Sequence, residues 1–364
     1  MNVALFVHSL RSDWNHGNAH FLRGVASELV HRGHSVTVLE PLDGWSAENL
    51  ARDHGPAALD AWREAYPEIP VRAYDLATLD LGEALDGVDL ALVHEWSDPG
   101  LVARLGAERA HRPALRLLFH DTHHRAVTRP EEMARYDLSR YDGVLAFGKV
   151  LAELYRARGW GPRAFVWHEA ADVRRFRPLP AEKEGDLVFV GNWGDEERTA
   201  ELRAFLLEPV RELGLSASAH GVRYPESARR ALAAAGVAYR GWLPNHRAPE
   251  VLARHRVTVH VPRRPYAEAL PGIPTIRPFE ALACGIPLVC APWDDVEGLF
   301  RPGRDYLVAR DGAEMQRHLR AILSEPGLGR ALAASGLETI RARHTCGHRV
   351  DELLALAAAL GAGG

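Results

Sequence analysis

The run TIRPFEALACGIPLVC, Thr275 to Cys290, sets a carboxylate, two prolines and a glycine in an order that can hold a nucleotide. Pro278 suits an early helical position, and Phe279, Leu282 and Ala283 share one helical face. Gly285 supplies a left-handed stop and Pro287 forbids continuation, so about two turns of helix are expected before a buried strand. Such a helix start carries free backbone N–H groups and a partial positive charge, which suit a diphosphate. Glu280, expected in the first turn, is placed to accept hydrogen bonds from two ribose hydroxyls. An ordinary first-turn acid, stabilising its helix by roughly 0.3–1 kcal/mol, has the same signature.

Arg263, Arg264 and Arg277 concentrate positive charge around this run in a chain of net charge −4, and a dianionic leaving group needs focused positive potential. Arg277 also precedes Glu280 by three residues, a spacing at which an ion pair is worth about 0.2–0.5 kcal/mol. The two roles are compatible. A second group is FHDTHH, in which His120, Asp121, His123 and His124 are of metal-ligating type. No second carboxylate–histidine group of comparable density accompanies them, and ligand count argues against a metal centre. His20 belongs to a helix start and faces either a ligand or solvent. The segment HSLRSDWNHGNAH lacks the paired glycines through which a dinucleotide pyrophosphate approaches the backbone, which disfavours a nicotinamide dehydrogenase.

The elements that position these groups read as two cycles of β and α. Apolar runs at Asn2–His8 and Ser35–Leu39 enclose a helical pattern from Asn18 to His31. Further β-like runs fall at Val71–Tyr74, Val88–His94, Ala114–His120, Gly143–Phe147 and Ala164–Trp167. Runs of this kind imply a parallel sheet covered on both faces. A second cycle has strands at Asp186–Val190, Ser216–His220, Val237–Tyr239, Arg256–Val261 and Asp305–Val308. Its helices are expected at Glu196–Leu213, Pro225–Ala235, Ala313–Leu323 and Leu328–Arg343, followed by a largely apolar one at Arg349–Leu360. With 364 residues the chain suits two domains: an N-terminal one over 1–170, a linker over 171–185 and a C-terminal one over 186–347. The terminal helix, about 348–364, is expected to pack back on the first.

Hydrophobic content of 47% and charged content of 25% describe a globular chain without a basic excess, which excludes a duplex nucleic-acid partner. Cys284, Cys290 and Cys346 lack metal spacing and fit a reducing cytoplasm. No basic leader, cleavage site or apolar run of membrane-spanning length is visible, while peripheral membrane contact stays open.

In this order the motifs resemble those of GT-B glycosyltransferases, of the bacterial retaining (group 1) kind and especially its CgeB-like spore-maturation branch. Gly17 stands at the first helix start, followed by RGHSVTVLE. ADVRRFRP matches the family's Asp…Phe-x-Pro segment, VFVGNW, YRGWLP and FEALACGIPLV follow in family order, and RHTCGHRVDELL resembles the closing helix. The resemblance implies two facing Rossmann-like domains with parallel sheets and a cleft between them. It implies ribose binding by Glu280, diphosphate binding by the Thr275 and Ile276 amides, base recognition near Trp242 and Leu243, and sugar contact by His120. Gly17 and Asn18 join the donor-binding set with Asn192, Arg263 and Arg277. Where the family carries basic residues after the first strand of its second domain, this chain has Asn192 and Trp193, and its first basic residue is Arg198. Arg198 is either a phosphate ligand or a helix-surface arginine paired with Glu197 or Glu201. The Trp242 ring is either a base platform or core.

The implied reaction moves a sugar from a nucleotide-diphospho-sugar, a UDP-sugar, to a hydroxyl acceptor on a glycan, small molecule or protein, with retention and without metal or other cofactor. The leaving group would be stabilised by Arg198 and its neighbours, with His120 orienting the sugar. Gly272 stands where the family has a second glutamate, and Glu268 is either its substitute or a solvated loop acid. Two rivals follow: a sugar-nucleotide epimerase of the same fold, and a non-catalytic nucleotide-sugar-binding protein. Gly44–Pro70, with Trp45 and Trp62, is the candidate acceptor loop.

Overall fold

A computed structural model describes residues 1–362; residues 363 and 364 of the expected terminal helix lie outside the described residues. The chain divides into two compact units, Met1–Glu169 with the chain from Cys346 onward, and Ala170–Thr345.

The first unit is built on a seven-stranded sheet of β1 (Asn2–Phe6), β2 (Ser35–Pro41), β3 (Val71–Tyr74), β4 (Leu90–His94), β5 (Arg116–Asp121), β6 (Gly143–Ala146) and β7 (Ala164–Val166). The order is β3-β2-β1-β4-β5-β6-β7 and each pairing is parallel, with Val3 opposite both Val36 and Leu90. Strands such as LALVH are buried throughout, the near-continuous apolar run that a sheet covered on both faces requires. Helix Ala19–His31 covers one face with Phe21, Leu22, Val25 and Leu29. The last helix, Cys346–Ala362, packs on it through buried Val350, Leu353 and Ala357. Trp167 Nε1 donates to the Arg349 carbonyl at 2.9 Å, and Arg32 pairs with Asp351 at 2.5 Å.

The second unit carries a six-stranded sheet, order β10-β9-β8-β11-β12-β13, from β8 (Gly185–Val190), β9 (Ala217–His220), β10 (Val237–Tyr239), β11 (His255–His260), β12 (Leu288–Cys290) and β13 (Leu307–Val308). Leu187, Phe189, Val257 and Val259 form its core with Leu202, Leu206, Met315 and Leu319 from the covering helices. Ala171 is bridged to Thr345 and Phe176 is fully buried, so the stretch read as a linker lies within this unit. The helix expected over Glu196–Leu213 starts at Thr199 and widens to π geometry over Arg203–Leu207 before continuing to Leu213. The cause is Pro209, which has no N–H to give and whose ring crowds the carbonyl four residues back. The last strand is shorter than expected, because the Asp305 N–H donates to the Arg301 carbonyl at 2.9 Å, in a turn, instead of extending the sheet.

In both sheets strand order reverses beside the first strand, at β1/β4 and at β8/β11. Ligands of open α/β sheets bind beyond the carboxyl ends of the strands at such switch points.

Candidate functional site

In the second unit the switch point is lined by arginine. Helix Ile276–Ala283 begins two residues before Pro278, so Glu280 lies in the second turn and the first turn holds no acid, contrary to the sequence expectation. Pro278 is tolerated at the third helical position because the first N–H groups of a helix have no intrahelical acceptor. Thr275 enters the helix at φ 59°, a region that costs a non-glycine residue on the order of 1–3 kcal/mol. No side chain caps this start, and among the described residues neither the Thr275 nor the Ile276 N–H has a protein acceptor.

Glu280 is buried at 2% exposure. It accepts a 2.7 Å hydrogen bond from Asn245 Nδ2 and is ion-paired with Arg277. Its carboxylate therefore lies against side-chain donors rather than serving only as a helix-end charge. Asn245, two residues beyond Leu243, escaped sequence reasoning because no local pattern ties it to a glutamate 35 positions later.

Arg198 is the larger departure. It was expected either as a phosphate ligand or as a helix-surface arginine paired with Glu197 or Glu201; it is buried and directed at backbone, which removes the second reading. Nη1 donates to the Val261 carbonyl at 2.6 Å, and Nη2 to the Asn192 carbonyl at 2.6 Å and to Asn192 Oδ1 at 3.1 Å. The guanidinium lies 5.4 Å from the Phe189 ring centroid. Its Nε is buried with no partner among the described residues. Burial first, then repulsion by Arg263, lowers its pKa to about 10, so the group remains cationic at neutral pH. Glu201 pairs instead with Arg264 at 3.1 Å. Arg263 reaches Asn192 Oδ1 and the Glu197 carboxylate, each at 3.1 Å. One asparagine thus joins two arginines beyond β8. Gly221 makes this loop possible, since a Cβ there would stand 2.1 Å from the Gly191 carbonyl oxygen.

Between these groups stands His260, the last residue of β11, also unforeseen. Burial, then Arg198 and Arg277, drive its pKa down to about 3, and Nδ1 has no partner among the described residues. Trp242 and Leu243 are half-buried in the loop after β10, so the ring is not core. Gly272, at φ 88°, lies against the Glu297 side chain, while Glu268 is exposed.

Gly17, Asn18 and His120 belong to the first unit. Asn18 does not cap its helix; its Nδ2 turns to Thr122 Oγ1, and His94 Nε2 lies 3.5 Å away. His120 is 1% exposed, its ring centroid 4.9 Å from Trp167 and 5.6 Å from His94, and neither ring nitrogen has a partner among the described residues. Burial lowers its pKa to about 3. The candidate residues thus fall into three groups: Asn192, Arg198 and Arg263; Thr275, Ile276, Arg277 and Glu280; and Gly17, Asn18 and His120. Among the described residues no three His, Cys, Asp or Glu side chains are arranged to hold a metal ion, and no helix is long and apolar enough to cross a membrane.

Residues 198–355 match the model of a family described as Glycosyl transferase-like. No curated protein matches the chain. Among solved structures it is similar to sucrose-phosphate synthase from Thermosynechococcus elongatus, at 15% identity and TM-score 0.66 over 100% of both chains. It is also similar to Anabaena Alr3699/HepE, solved with UDP and glucose, at 14% identity and TM-score 0.63 over 98% of this chain and 99% of that one. A protein assigned as a UDP-N-acetylglucosamine 2-epimerase from Listeria monocytogenes matches at 12% identity and TM-score 0.56, over 98% of this chain and 95% of that one. At these identities the likeness speaks of fold, and the fold is GT-B.

Proposed function

We propose, for a chain whose GT-B fold and glycosyl transferase-like segment mark it as a glycosyltransferase, that it transfers a sugar from a UDP-sugar to a hydroxyl acceptor with retention of configuration. The observation that carries this reading is the uncapped helix start at Thr275 and Ile276, in the unit that also gathers Arg198, Arg263 and Arg277. The order of ADVRRFRP, VFVGNW, YRGWLP and FEALACGIPLV favours the CgeB-like branch.

As the bond from the sugar's anomeric carbon to the diphosphate lengthens, negative charge grows on the leaving phosphate. Donors already in place stabilise that charge without reorganising, each charge-assisted hydrogen bond contributing on the order of 1.5–3 kcal/mol. The two amides supply such donors, and Arg263 and Arg277 supply positive charge in the role a bridging metal would otherwise fill. Arg198 acts chiefly by holding the Asn192 loop, and its unpartnered Nε is the atom left for a phosphate oxygen. When Arg277 turns to phosphate, Glu280 is released to accept from the ribose hydroxyls. Trp242 and Leu243 flank the base. His120 orients the sugar through its ring nitrogens. An imidazole with a pKa of about 3 is too weak a base to hold the acceptor's proton. The proton passes instead to the departing phosphate oxygen as the acceptor oxygen bonds the anomeric carbon. The buried free cysteines suit a reducing cytoplasm.

Titration calorimetry with UDP, followed by a transfer assay over UDP-sugars and hydroxyl acceptors, tests the reading; absence of UDP binding would end it. A second reading, epimerisation, is favoured by the likeness to the Listeria protein. Incubation of the donor without acceptor separates the two, since an epimerase converts its substrate alone.

A further inference from the structure

The carboxyl ends of β1, β2, β4 and β5 bring together residues that donor binding leaves unused. Trp45 and Trp96 are the aromatic members of the exposed large apolar side chains, at 45% and 39% exposure among the described residues. They arise from different loops, yet both flank one imidazole: the His8 ring centroid is 6.5 Å from Trp45 and 6.2 Å from Trp96. Trp62, the other tryptophan of the candidate acceptor loop, is instead buried.

Both exposed rings are held in place. Trp45 stands edge-on to Trp14 at 5.1 Å, and Trp14 Nε1 donates to Asp53 at 3.0 Å. Trp96 has the Arg125 guanidinium 3.8 Å from its centroid, and Arg125 is fixed by ion pairing with buried Glu95 and by Tyr136. A fixed indole binds a ligand face with little loss of side-chain freedom. Beneath His8 the imidazoles continue inward, His16 at 5.5 Å, His94 at 5.8 Å from His16, and then His120. His16 Nε2 and His94 Nδ1 are more than nine-tenths buried and have no partner among the described residues. Buried polar nitrogens of this kind are completed by water or by a ligand.

The charges nearby are spent. Glu40 accepts from the Leu10 N–H and pairs with Arg11, Asp121 accepts from the His123 N–H and Tyr155, and Glu95 neutralises Arg125. Burial lowers the His8 pKa to about 4 and holds His16 and His94 well below 6.5, so these rings are uncharged donors and acceptors at neutral pH. Two indole faces and a line of imidazoles match a ring with C–H faces and hydroxyl edges, and the Arg125 cation against Trp96 is already paired with Glu95.

From this geometry we propose that the Trp45–His8–Trp96 platform binds the acceptor as an uncharged saccharide, its C–H face on the indoles and its hydroxyls toward His8 and His16. The proposal rests on the glycosyltransferase reading and sharpens it by naming the acceptor class. Wild-type protein saturated with UDP is titrated with a panel of neutral methyl glycosides and disaccharides, with hexose 6-phosphates as charged controls, by saturation-transfer NMR and tryptophan fluorescence. We expect a neutral member to bind and a phosphate to bind weakly or not at all. Trp45→Ala and Trp96→Ala should each raise its dissociation constant about tenfold, or about 1.4 kcal/mol, while UDP affinity and melting temperature are unchanged. Trp45→Phe and Trp96→Phe should recover part of the loss. Failure of every neutral saccharide to bind, preference for the phosphates, or indifference to both alanine variants would overturn the proposal even where UDP binds normally. Failure of UDP itself to bind would count against the donor reading.

Discussion

The two switch points occupy the same position in their sheets and carry opposite chemistry. Beyond β8 and β11 the loops bring in Arg198, Arg263 and Arg277, with two bare amides at the start of a helix. Beyond β1 and β4 they bring in His8, His16 and His94, with exposed indoles above. The sheet therefore sets only where a ligand would sit, and the residues just past each strand set the chemistry offered there: guanidinium charge in one unit, uncharged rings in the other. Burial acts in the same direction on both sides by opposing charge. A guanidinium, whose pKa begins above 12, keeps its charge after that penalty, whereas an imidazole does not.

The sharpest way to break this comparison is Arg198→Ala. Loss of the group that ties the Val261 and Asn192 carbonyls should lower kcat by on the order of 10²–10³-fold, the range seen when one charge-stabilising donor is removed. UDP affinity should fall less, because the charge it opposes develops during reaction. A wild-type rate would remove Arg198 from the mechanism. Glu280→Gln comes next: loss of the charged ribose acceptor should weaken UDP about tenfold, measured calorimetrically. Unchanged affinity would leave Glu280 as no more than the partner of Arg277 and Asn245.

Acid should reach both sites through stability, since burial holds His120 on one side and His260 on the other near 3. The His120 pKa is about 3 when folded, against an ordinary 6.5, so between those values the unfolded chain binds the extra proton and stability falls as pH falls. The slope is about 1.4 kcal/mol per pH unit for one such group. Urea unfolding of wild type and His120→Asn between pH 7 and pH 5 isolates it. The variant should lose less stability on acidification, and parallel profiles would count against a neutral buried imidazole. The smallest effect is that of salt. Raising ionic strength from about 0.1 to 1 M shortens the screening length from about 10 to 3 Å, so UDP affinity should drop several-fold while saccharide affinity holds.

Strands were legible in the sequence because a sheet covered on both faces writes itself as apolar runs; Val71–Tyr74 and Val237–Tyr239 fall where they were expected. The helix after Thr275 was legible through its glycine and prolines, with its start at residues 275–276 where it lies, but Glu280 was placed one turn too early. Of the two readings of Arg198, the helix-surface one fails because exposure is a property of the folded loop and not of the residue. His8, His94 and Trp96 went unnoticed for a different reason: they come from two strand ends, those of β1 and β4, and only parallel pairing carries those ends to one edge.

The helix Cys346–Ala362 belongs to the first unit yet is translated after the whole of the second. The whole of Ala170–Thr345 is made in between, roughly 10–40 s at ordinary speeds of synthesis. Until then the seat of Val350, Leu353 and Ala357 on Ala19–His31 is open to water and to other nascent chains. The unit begun earlier is accordingly completed only after its neighbour.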